Sequence, residues 1–88
     1  MEIHHLVFYM LVLRIKKIYL DKILSGEKNY EYRLFSEYYE KKMNKNPKKI
    51  LFLCGKQTAE YRIENIEIVN DGGLGKIKQY KIKLLSRD

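Results

Sequence analysis

Five separate segments of this chain carry the side-chain pattern of a β-strand, which within 88 residues leaves room for no more than two short helices. Residues 6–15 are almost uninterruptedly apolar and rich in β-branched and aromatic types, the pattern of a central strand buried on both faces. Residues 28–35 alternate, with Tyr30, Tyr32 and Leu34 on one face and Asn29, Glu31, Arg33 and Phe35 on the other. Lys49–Cys54 is continuously apolar and is expected in the core. In the long segment 59–69, Tyr61 and Ile63 share one phase whereas Ile66 and Ile68 share the other, so a β-bulge is expected near Glu64 and Asn65. Tyr80, Ile82 and Leu84 then alternate with Lys81 and Lys83 in the closing segment, 79–85. Short strands with one such bend predict a small, partly open barrel.

Twice the period changes from that of a strand to that of a helix. After Lys17, Tyr19 and Ile23 lie four apart, as do Leu20 and Leu24, giving the apolar stripe of a two-turn helix. Gly26 follows where a helix commonly ends in a left-handed residue. Ser36 is the expected N-cap of a second helix, Glu37–Met43, with Glu37 in the first turn and Lys41 and Lys42 in the last, as the helix dipole prefers. Residues 44–49, which hold Pro47, read as a polar connection, and 55–58 and 70–73 read as turns.

At the first helix-to-strand transition, Gly26, Lys28, Glu31 and Arg33 form a G-x-K-x-x-E-x-R pattern. Glu31 and Arg33 share a face, close enough to pair or to hold one ligand jointly. Lys28 has the opposite parity but stands where the backbone is still turning. An ammonium binds phosphate as a point charge or, if desolvated, acts as a base. A guanidinium holds phosphate or carboxylate by two prongs. A carboxylate orients either cation or accepts from the exocyclic amine of a base. By charge alone the trio is an ordinary strand ion pair worth little.

In this position the pattern resembles the signature of the ASCH domain family, a branch of the PUA-like β-barrels. The order of strand, helix, motif strand, helical linker and three further strands is similar to the family's over nearly the whole chain. The resemblance implies a mainly β fold of α+β class: a PUA-like small β-barrel of about five strands with one or two helices. It implies a single domain over residues 1–88, with 1–9 as an N-terminal extension, because the stretch from Met10 reads like the family's usual start. It also implies a ligand cleft at Gly26, Lys28, Glu31 and Arg33, associated with RNA and modified nucleosides. Lys56, on a turn between strands, and Arg62, on the strand after it, are further candidate contacts.

The chain has 18 basic and 11 acidic residues, a formal charge of +7, and the excess lies mostly in residues 45–88, with 10 basic and 5 acidic against 8 and 6 in residues 1–44. Such a domain attracts polyanions, RNA included, although a lysine-rich surface serves solubility equally well. Eight tyrosines offer stacking surfaces, and Tyr38 and Tyr39 are the pair expected on the outside. His4 and His5, with one cysteine and no further histidine, cannot complete a metal shell, and no cofactor is implied. Cys54 sits in an apolar run and reads as a buried, inert thiol of a reducing cytosol. No stretch approaches the roughly 20 apolar residues of a membrane span, and the apolar run 6–15 lacks the flanks of a signal peptide, so a cytoplasmic location is expected.

Three function classes follow. The first is an RNA- or nucleotide-binding module. In the second, the chain is a small hydrolase: some family members remove the acetyl group of N4-acetylcytidine with a motif lysine, a threonine three residues later and a distant glutamate. Here Lys28 matches the lysine, but Glu31 occupies the threonine position, and the segment before the last strand is reduced to residues 70–76. Ribonuclease activity, also associated with the family, would have to rest on Lys28 and Glu31. The third class is a protein-interaction accessory module. The binding module fits the residues best, and the oligomeric state is not legible.

Overall fold

The computed structural model describes residues 9–85. Strand β1 (Met10–Arg14) leads into helix α1 (Lys17–Leu24), followed by β2 (Tyr30–Leu34), α2 (Glu37–Met43), β3 (Lys49–Cys54), β4 (Gln57–Val69) and β5 (Gln79–Leu84). The strands form one sheet in the order β1-β3-β4-β5-β2, antiparallel except for the parallel β1–β3 pair.

The sheet curls because β4 serves two neighbours in succession. Its first half pairs with β3, from Cys54 against Gln57 to Lys49 against Arg62, and its second half pairs with β5, from Ile63 against Leu84 to Val69 against Gln79. The register shifts between Ile63 and Asn65, so Glu64 is the extra residue of a β-bulge at the expected position. A strand bent there turns β5 and β2 away from the plane of β1 and β3. Among the described residues the result is a half-barrel of five strands with two short helices, whose edge strands are β1 and β2.

The core lines the inside of this curl. Leu11 and Leu13 of β1, Ile50 and Phe52 of β3, Ala59 and Tyr61 of β4, and Tyr80, Ile82 and Leu84 of β5 are all buried. Leu20 and Ile23 bring α1 onto it, and Met43 brings α2. Phe52 meets Tyr61 edge-to-face, with ring centroids 6.1 Å apart.

Several expectations need correction. Residues 10–14 form an edge strand rather than a central one: only Leu11 and Leu13 point inward, while Val12 is 45% exposed. Here the sheet is covered on one face only, so alternate side chains meet solvent, and β-branched residues are favoured on a strand even there. The remainder of the run, residues 6–8, lies outside the described residues, as do His4 and His5. In β3, Ile50 and Phe52 are buried but Leu51, Leu53 and Cys54 are only partly so, because helices do not cover both faces. Of the expected stripe on α1, Leu20 and Ile23 are buried and Leu24 packs partly against the core, but Tyr19 is turned out of it. The β3–β4 turn is only Gly55 and Lys56, and the glycine-rich turn closes between Gly72 and Gly75 rather than over 70–73.

Candidate functional site

The backbone at the end of α1 places the first motif residue. Gly26 takes a φ of +83° and donates its N–H to the Ile23 carbonyl, and the N–H of Lys28 reaches back to the Lys22 carbonyl at 3.0 Å. That second bond fixes the Lys28 backbone against the helix before β2 begins. The side chain therefore escapes strand parity and turns toward Glu31, as expected.

Glu31 is 6% exposed, and its carboxylate is the hub of the site. Lys28 Nζ donates to Oε1 at 3.1 Å; Arg33 Nε and Nη2 both donate to Oε2, at 3.0 and 2.8 Å. A carboxylate withdrawn from water requires such compensation. The Arg33 guanidinium uses its remaining capacity elsewhere. Nη1 donates to the Tyr39 hydroxyl at 3.3 Å, and Nη2 donates to the main-chain carbonyl of Arg14 at 2.8 Å. One side chain of β2 thus ties together β1, α2 and the motif carboxylate, across the opening between the two edge strands. Tyr39 is oriented for this by the cap of α2, where Ser36 Oγ accepts the Tyr39 N–H at 3.1 Å.

Around this hub lies an open cleft of about 590 Å³. Among the described residues, Arg14, Lys16, Lys28 and Arg33 contribute its cationic lining, with Glu31 as the only carboxylate. Tyr19, displaced from the core, forms part of one wall, and the Lys28 ammonium stands 5.1 Å from the centre of its ring. The opposite rim comes from the β4–β5 connection. Gly72 and Gly75 exchange backbone hydrogen bonds of 3.3 and 3.0 Å, and the tip between them, Gly73 and Leu74, lines the cleft.

Gln79 holds that tip in place. It is fully buried; its Oε1 accepts the Leu74 N–H at 3.0 Å, and its Nε2 donates to the carbonyls of Gly75 and Ile77, both at 2.9 Å. The turn lies flat on Tyr32, so close that a Cβ on Gly73 would come within 2.6 Å of that ring and one on Gly72 within 2.7 Å.

Of the residues expected at the site, Lys28, Glu31 and Arg33 converge as anticipated. Gly26 acts through its backbone: a Cβ there would meet nothing within 4 Å, so it makes no room for the cleft and instead supplies a left-handed residue. Lys56 and Arg62 do not line the cleft; both are exposed, one on the β3–β4 turn and the other on β4 next to the bend. Tyr38 is exposed as expected, at 63%, but Tyr39 packs partly against the core. Sequence reasoning missed Arg14, Lys16, Tyr19, Leu74 and Gln79, which reach the site only because the sheet curls. No three His, Cys, Asp or Glu side chains cluster in a way that could hold a metal ion among the described residues. No described helix is long and apolar enough to cross a membrane.

Comparison with protein-family models, with curated proteins and with solved structures found no match in any of the three.

Proposed function

We propose that this chain is a binding module for RNA or a nucleotide-like anion, held in the cleft around Lys28, Glu31 and Arg33. The observation that carries the reading is the charge of the lining: among the described residues, four cationic side chains share one cleft with a single carboxylate. Glu31 is already satisfied by Lys28 and Arg33, so the positive excess, with Arg14 and Lys16 at its margin, remains for a ligand. Phosphate contacts of this kind supply much of the affinity for nucleic acids. The same proposal includes kinship with the ASCH-type domains, supported by the convergence of the motif side chains at one cleft.

Binding is favoured over hydrolysis by the chemistry of the wall. Among the described residues the lining contains no Ser, Thr, His or Cys, and both oxygens of Glu31 accept from cations rather than facing a substrate proton. Fluorescence anisotropy of a labelled single-stranded RNA, titrated at two salt concentrations, tests the proposal. Arg14→Ala and Lys16→Ala are the informative variants, since neither side chain holds a motif residue. Each is expected to weaken binding across sequences and to flatten the dependence of log affinity on log salt by about one unit. Unchanged affinity and slope in the double variant would remove the cleft from consideration.

A further inference from the structure

The cleft is not uniformly basic, and its apolar half is held in place with some care. Leu34 on β2 and Leu74 on the turn tip both line it, yet they are 49% and 48% exposed. Isolated exposed leucines are ordinary. These two stand at the mouth of one cleft; the fully buried Gln79 accepts the Leu74 N–H and donates to the carbonyls of Gly75 and Ile77, and two glycines of the same turn press onto Tyr32. The Tyr32 ring lies beneath the tip and also lines the cleft.

We infer that Leu34 and Leu74, backed by Tyr32, form a base-contacting wall opposite the cationic side, so that the cleft takes an unpaired nucleotide of a single strand. This rests on the reading of the cleft as a site for nucleic acid and goes beyond it by naming what the ligand must expose. An unpaired base presents a flat apolar face, and its phosphate lies far enough away to reach a separate cation. Duplex RNA hides those faces in its stack. The volume of the cleft, about 590 Å³, lies within the usual range for small-ligand sites.

The test compares three probes of equal length: a single-stranded RNA, its duplex, and an abasic ribose-phosphate strand of matched charge. The single strand is expected to bind on the order of tenfold more tightly than either of the others. Leu34→Ser and Leu74→Ser, checked for intact folding by amide spectra, are expected to bring the single strand down to the abasic level while leaving the salt slope unaltered. Equal affinity for the abasic and the normal strand, or indifference to both serines, overturns the base wall and leaves the electrostatic cleft standing. Failure of all three probes to bind overturns the cleft itself, and the base wall with it.

Discussion

Glu31 and Arg33 brace the sheet opening and line the cleft at the same time. The carboxylate is buried and receives three charged donors; the guanidinium serves three different partners. Removing one member of such a cluster leaves the others desolvated without compensation, which costs more than an exposed ion pair contributes. Glu31→Gln is expected to lower unfolding free energy by about 2 kcal/mol in urea titrations, and Arg33→Lys, which keeps the charge but loses the fork, by about 1 kcal/mol. Losses below about 0.5 kcal/mol in both would mean that the cluster behaves as a solvated surface pair. The pairing of these two residues was legible from their spacing, because strand parity puts i and i+2 on one face. The link from Arg33 to the Arg14 carbonyl was not, since it joins residues 19 positions apart.

At the scale of elements, local rules succeeded wherever a single segment decides the outcome. The N-cap at Ser36, the left-handed Gly26 and the bulge at Glu64 all follow from the order of neighbouring residues. They failed where an element's surroundings decide: an apolar run proved to be an edge strand, and Tyr19 left its helical stripe for the cleft wall. The glycine-rich turn was recognised as a turn, but nothing in residues 70–76 discloses that Tyr32 lies beneath it or that Gln79 holds it from within. Two glycines make the contrast testable. Gly26→Ala meets open space and carries only the conformational cost of a left-handed alanine, about 1 kcal/mol. Gly73→Ala drives a methyl group into the Tyr32 ring and is expected to cost about 1–3 kcal/mol and to shift amide signals along the cleft rim. Signals at Leu74 that stay in place in the Gly73 variant would show the turn to be pliable.

At the scale of the whole molecule, charge bears on stability as well as on the proposed binding. The sequence carries an excess of seven positive charges, and only part of the excess on the described residues meets at the cleft. The closing strand bears a titration that belongs to the core: burial, reinforced by the Glu40 carboxylate, raises the Tyr80 phenol above its ordinary value of 10.0. The unfolded chain therefore ionises this phenol first, so its contribution is fully present below about pH 10 and is lost as pH rises through the higher folded value. Tyr80→Phe is expected to unfold less steeply with pH above about 10 in thermal melts. Parallel curves for the two proteins would mean that other groups govern alkaline unfolding.

The bend in β4 also has a bearing on what regularity is worth. Without Glu64 the run Ile63, Asn65, Ile66 would alternate cleanly, and by every local measure the strand would read better. Straightness of that kind would carry β5 and β2 out toward the plane of β3, and the Arg14 carbonyl would lose the guanidinium that reaches it across the opening. The blemish is what gives the molecule an inside. A tidier strand would lie flatter and enclose less.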